Sequence, residues 1–214
     1  MMVTQDRAAR TRRSLIRAAA EIFAVEGFVP ASLTMISRRA GVSNGALHFH
    51  FKSKEALAGA VEEEAAREVR LITECRDHDE APDLQLLIDA THALMLRLDE
   101  DVVVQAGFEL SGEPSRLGGI DLRRQWRRWT EDVLQRAASL GELAHGVTPD
   151  VAADTLLAAI VGFEVLGARD GKEWISGPRL ARFWELMLPG LAARPDSLIA
   201  GGSPGVVRPR ASES

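Results

Sequence analysis

Apolar positions recur along this chain at helical spacing, and no segment shows the strict alternation of a half-buried strand. Leu15, Ala19, Ile22 and Phe23 form a first stripe that Gly27 terminates. Two short helices follow, with Ile36, Ala40, Val42 and Leu47 spaced so that each turns an apolar side to the other. Ser53 caps a fourth helix running from Lys54 to about Glu74, and Pro82 opens a fifth. In the fifth, Leu84, Leu87, Ile88, Thr91, Leu94, Met95 and Leu98 keep the i, i+3, i+4, i+7 pattern of one buried face. A shorter apolar segment over 102–110 precedes a Gly- and Pro-containing loop at 111–119. Leu122, Trp126, Trp129, Val133, Ala137 and Leu140 mark a further amphipathic helix, stopped by Gly141. Thr148-Pro149-Asp150 starts the next, whose 156–166 stretch is apolar on nearly all sides, and Pro178 opens the last. There Leu180, Phe183, Trp184, Met187 and Leu188 face inward.

The expectation is an all-α chain of about nine helices: a three-helix head over 1–52, a helical bundle over 53–194, and a tail over 195–214. That tail is rich in Gly, Pro, Ser and Arg, cannot bury enough apolar surface to offset ordering, and is expected to be disordered.

Residues 32–51 carry the most specific local pattern. Gly41 sits where the first short helix must stop, a position that favours positive φ, and Ser43 offers its side-chain oxygen to the next helix. The outward side of residues 44–49 is then free to enter a DNA major groove, as in a helix-turn-helix. Two ordinary core helices joined by a glycine turn would give the same spacing.

Charge sharpens the choice. The net charge is −5, which suits nucleic acid poorly until it is divided along the chain. Residues 1–60 hold nine Lys and Arg against four acids, whereas the remainder holds 17 against 27. A basic module on an acidic body orients itself on phosphate. Arg7, Arg10, Arg12 and Arg13 form either an arm for the minor groove or a solvated tail.

Other chemistries find little support. There is no nucleophile elbow, phosphate loop or dinucleotide fingerprint, and His48-x-His50 lacks the spacing of a helical zinc pair. Cys75 is the single cysteine, so neither an intrachain disulfide nor a cysteine zinc site is expected. No enzyme activity, cofactor or metal is expected. No signal core and no membrane-length apolar run stand out, so a cytoplasmic, nucleoid-associated protein without a membrane partner is expected.

The motif Ser32…Ile36-x-x-x-Ala40-Gly41-Val42-Ser43-x-Gly45-x-Leu47-x-Phe49-His50-Phe51-x-Ser53-Lys54-Glu55-x-Leu57 resembles the DNA-binding domain of TetR-family transcriptional repressors. Within that family, residues 45–51 and Trp126 resemble the γ-butyrolactone receptors of Streptomyces and related actinomycetes. The tyrosine usual before Phe49 is His48 here, and the frequent lysine after the capping residue is Asn44. His48 can donate to phosphate, and Asn44 suits an adenine edge rather than guanine. Ser43, Asn44, Gly45, His48, Phe49, Lys54 and Arg10 are the expected DNA contacts. Gly45 serves either close phosphate approach or helix entry, and Phe49 either thymine methyls or the small core. Lys54, at a helix start, suits a phosphate.

The resemblance implies a homodimer reading two halves of an inverted-repeat operator, with the last two helices pairing the copies. Gly162 and Gly167 would permit their close approach; burial of 156–166 within one subunit is the alternative. It also implies a small apolar signalling ligand (a γ-butyrolactone, butenolide or furan) held against Trp126, in control of antibiotic biosynthesis genes. Trp129, Thr130, Thr91, Met95, Phe108 and Phe163 are the further expected lining residues, with Gln125 and Glu164 as additional polar candidates. An alternative within the family is a regulator of an efflux or catabolic gene that senses an antibiotic or other hydrophobic compound.

Overall fold

The computed structural model describes residues 2–74, 81–116 and 118–203; Cys75 and the chain beyond Ser203 lie outside it. Among the described residues there are nine α-helices: α1 (Met2–Glu26), α2 (Leu33–Arg39), α3 (Asn44–His50), α4 (Lys54–Glu74), α5 (Asp83–Glu100), α6 (Val102–Ser111), α7 (Leu122–Ser139), α8 (Pro149–Asp170) and α9 (Gly177–Leu191). Short 3₁₀ turns follow α8 (Lys172–Ile175) and α9 (Pro195–Ser197). The one β feature among these residues is an isolated bridge between Leu143 and Ala192. The all-α expectation holds.

Two compact units emerge. The first comprises the chain up to Glu68 together with Asp101–Leu122; the second comprises Val69–Glu100 with Arg123 onward. The boundary therefore falls inside α4 rather than at residue 52, and α6 belongs with the head. The reason is packing: Val103, Ala106 and Leu110 of α6 are buried in the same core as Leu15, Ala19 and Phe23 of α1, Ile36 of α2 and Leu47 of α3.

Local chemistry in the first unit follows the sequence closely. Gly27 and Gly41 take φ of +81° and +67°, which a side chain would strain. Ser32, Ser43 and Ser53 accept from the amides of Met35, Ala46 and Ala56, so α2, α3 and α4 each begin on a serine oxygen. α1 starts well before its apolar stripe, and the arginines at 7, 10, 12 and 13 are helical and exposed along it. One of them is fixed further: the Arg12 guanidinium lies over the Phe51 ring at 5.3 Å. Arg39 pairs with Glu21 at 2.5 Å, tying the end of α2 to α1.

In the second unit the inner faces of α5, α7, α8 and α9 bury Leu87, Ile88, Met95, Trp126, Val133, Ile160, Trp184 and Leu188. α5 is capped from afar. Pro82 has no side-chain acceptor, and the Glu142 carboxylate takes the amides of Asp83 and Leu84 at 3.2 and 3.0 Å. Leu140 lies outside α7 and is exposed, because the helix stops at Ser139 before its stripe does. Gly167 serves packing within the chain: a Cβ there would stand 2.9 Å from Ile175 Cγ2. α8 is long and apolar enough, by length and composition, to cross a membrane, with a mean hydropathy of 1.8 over its best window. The uninterrupted-run criterion missed it because charged residues break the run, among them Glu164, which is paired with Arg123.

The tail also departs from expectation, as far as Ser203. A row of buried polar side chains on α5 binds its backbone. Gln85 accepts from Ile199 N at 2.7 Å and donates to Ile199 O at 3.3 Å. Asp89 accepts from Ser203 N at 2.8 Å, and His92 Nε2 lies 2.9 Å from Ala200 O. Hydrogen bonding, not apolar burial, orders this segment. The rest of the expected tail, 204–214, lies outside the described residues.

Candidate functional site

α2 and α3 meet across the Gly41 turn, with Ile36 and Leu47 both wholly buried between them and the rest of the head. That seating leaves one side of α3 to solvent. Ser43, Asn44, Gly45, His48 and Phe49 are all exposed along it. Phe49 is 81 % exposed, with its ring edge-on to His50 at 5.2 Å, so the small-core alternative does not hold. A Cβ on Gly45 would meet nothing closer than Ser43 Oγ at 3.9 Å, leaving its backbone accessible.

Asn44 has a second task. Its Oδ1 lies 2.5 Å from the buried Ser37 hydroxyl, which also lies 3.1 Å from Thr34 O. The single hydroxyl proton serves one acceptor at a time, so Asn44 is held against α2 while its amide edge stays exposed.

Lys54 corrects the sequence reading. Its ammonium donates to the carbonyls of Phe28, Val29 and Ala31 at 2.7, 3.0 and 2.9 Å, using all three protons. It also lies 4.5 Å from the Phe28 ring centroid. This lysine staples the α1–α2 turn and has no proton left for phosphate. Lys52, which the sequence reading passed over, is exposed just after α3. Arg10 is exposed on α1.

The expected ligand residues divide between the units. Phe108 lies in α6 of the first unit and is fully buried. The others belong to the second. Trp126 and Thr130 stand one helical turn apart on α7, each 1 % exposed, and neither Trp126 Nε1 nor Thr130 Oγ1 has a hydrogen-bond partner among the described residues. Trp184 Nε1 on α9 shares this condition. Leaving such a group unpaired costs about 1–3 kcal/mol. Thr91 shows the ordinary remedy, donating to Leu87 O at 2.7 Å within α5. Trp129 is half-buried and tilted against Trp126, with ring centroids 5.0 Å apart. Met95 is buried, and Phe163 packs edge-on against Phe183 at 5.4 Å.

Glu164 is buried, and Arg123 donates to both its oxygens at 2.7 and 3.1 Å. Burial pushes its carboxyl above the usual range, and Arg123 offsets this only in part. Gln125 is exposed. The pairing of Arg123 with Glu164 was not legible from the chain alone, although an acid inside an apolar helix was its trace.

Residues 15–61 match the family model described as bacterial regulatory proteins, tetR family. The A-factor receptor protein of Streptomyces griseus is 33 % identical over 192 residues, covering 89 % of this chain and 67 % of that one. A γ-butyrolactone receptor described as ArpA-like superposes with a TM-score of 0.79 at 28 % identity, over 91 % of this chain and 96 % of the other. CprB of Streptomyces coelicolor, solved in complex with its biological operator sequence, gives 0.75 at 29 % identity over 91 % and 96 %. An exposed recognition helix on a serine cap, a glycine turn in the left-handed region and these relationships agree. The chain belongs to the TetR family of bacterial transcription regulators and is not an enzyme.

Proposed function

We propose that this regulator is a repressor that binds an inverted-repeat operator as a homodimer. A small signalling molecule of γ-butyrolactone, butenolide or furan type releases it, in control of antibiotic biosynthesis genes. The observation that carries the ligand reading is the pair of buried, unpartnered donors on α7, Trp126 Nε1–H and Thr130 Oγ1–H. An indole face with two adjacent donors suits a ring bearing a carbonyl or carboxylate. The resemblance to the A-factor receptor supports the same ligand class.

The dimer reading draws on α8 and α9. Val165 and Leu186 are exposed, 157, 161–163 and 166 are half-buried, and a Cβ on Gly162 would meet nothing within 4 Å. So much uncovered apolar surface suits a second copy. Membership of a DNA-binding family implies the cytoplasm, and operator binding implies association with the nucleoid. Release is a shift between two populations, so ligand and operator weaken each other by one common factor.

The test uses a duplex containing an inverted repeat from upstream of the chain's own gene. Anisotropy follows its release by a synthetic γ-butyrolactone, a butenolide, a furan carboxylic acid and a set of hydrophobic antibiotics. The first three should release it and Trp126→Ala should abolish that release with operator binding intact. Release by antibiotics alone favours the efflux or catabolic alternative. Joint loss of both activities in Trp126→Ala assigns the indole to structure.

A further inference from the structure

Arg116, in the loop between α6 and α7, is almost completely enclosed, as is its partner Glu62 on α4; the side chains are 7 % and 2 % exposed. Its two terminal nitrogens donate to the two oxygens of Glu62, the second contact at 3.1 Å. Ile120 N–H adds a further bond to the same carboxylate at 3.3 Å. Gly119 passes so close that a Cβ would stand 2.8 Å from Glu62 Oε2. The guanidinium also lies 5.2 Å from the Phe28 ring centroid, the ring that carries the Lys54 ammonium. One side chain thus touches α4, the loop that leads into α7, and the turn on which α2 is set.

Stability alone explains this poorly, since a buried ion pair often does no better than an apolar pair of similar volume. What it supplies is position, through a two-point geometry that only one arrangement of loop and helix satisfies. We propose that Arg116 is a positioning residue for operator binding. It fixes the α1–α2 turn to α4 and to the segment entering α7, so a shift of that segment changes the seating of α2 and α3. The proposal rests on the repressor reading above.

The experiment uses the full chain and a duplex that the wild type selects from a randomised pool. Wild-type retention of that duplex reports on the repressor reading by itself; only the variants report on Arg116. Arg116→Met, Glu62→Gln, these two combined, Arg116→Lys and the apolar pair Glu62→Leu with Arg116→Met are compared for operator Kd, its salt dependence and thermal unfolding. Arg116→Met and the apolar pair should each weaken binding about ten-fold, within the usual span of coupling between sites. Glu62→Gln should add little on top of Arg116→Met, as expected for residues acting as one unit. Arg116→Lys, keeping a cation over Phe28, should restore much of the affinity. The dependence of log Kd on log salt should not change, because a buried guanidinium releases no phosphate counterion.

Three results overturn the proposal. One is a folded apolar pair whose operator affinity stays within about two-fold of wild type. Another is a salt slope that falls by about one, which makes Arg116 a direct phosphate contact. The third is affinity that tracks only the melting temperature across the variants, which assigns the pair to stability.

Discussion

Two lysines near each other in the chain have opposite fates, and that contrast yields a paired experiment. Lys54 holds three backbone carbonyls, so Lys54→Met should destabilise the head by about 2 kcal/mol, the scale of hydrogen bonds to a charged group, without changing the salt dependence of operator binding. Lys52 is exposed beside α3, so Lys52→Ala should leave stability alone and lower the salt slope by about one. Thermal unfolding and a salt titration separate the two. Thr130 offers a second test, because its hydroxyl is buried without a partner. Thr130→Val, nearly isosteric, should leave unfolding free energy unchanged or raise it by about 1 kcal/mol while weakening the releasing ligand. A loss of stability in denaturant melts would contradict that. Glu164 is a third. Burial raises its carboxyl, so folding binds this proton more tightly than the unfolded chain does. Its contribution to stability is complete below the unfolded value and declines as pH rises through the folded one. A carboxyl-resolved NMR titration should place its midpoint above the ordinary glutamate value, and Arg123→Met should move it further up. Sequence could rank Asn44 and His48 as solvent-facing because helical spacing sets direction. It could not foresee Lys54, whose partners are backbone carbonyls that carry no sequence signature.

At the scale of elements, punctuation was more legible than extent. Gly27, Gly41, Ser43, Ser53 and Pro149 sit at helix boundaries because each solves a local problem of dihedral angle or unpaired amide. Where a boundary depends on distant partners, local reading failed. Nothing next to Pro82 announces that Glu142 caps α5, and nothing in the tail's composition announces that Gln85, Asp89 and His92 bind it. Composition judged that tail by apolar content, whereas polar side chains on α5 complete its backbone hydrogen bonds. Removing residues 199–214 would strip this row of its backbone partners and leave the Gln85–Asp89 bond at 2.8 Å, and solvent would repay part of the loss. The expected cost is about 2 kcal/mol, or roughly 5 °C in the melting midpoint, with faster amide exchange along α5. Unchanged exchange there would mean that the tail contributes nothing to this unit.

For the molecule as a whole, the legible part was the class and the basic head; the hidden part was the partition into units. α6 reads as an ordinary helix of the acidic body, yet its small and branched residues complete the core of the head. A Cβ on Gly107 would collide with Ala65 Cβ, a closeness between α6 and α4 that no linear pattern encodes. If α8 and α9 pair two copies, thermal stability depends on protein concentration. The melting midpoint should then rise across about a hundred-fold increase. A midpoint that stays fixed, with a monomeric mass in solution, refutes the pairing. The chain contains four tryptophans and no tyrosine, and two indoles on α7 lie 5.0 Å apart at a 44° tilt. Rings so placed, in a chain without tyrosine, give a near-ultraviolet dichroism band free of phenolic overlap. A molecule wedged against Trp126 would distort that band, so occupancy could be followed optically without a dye, a label or any DNA.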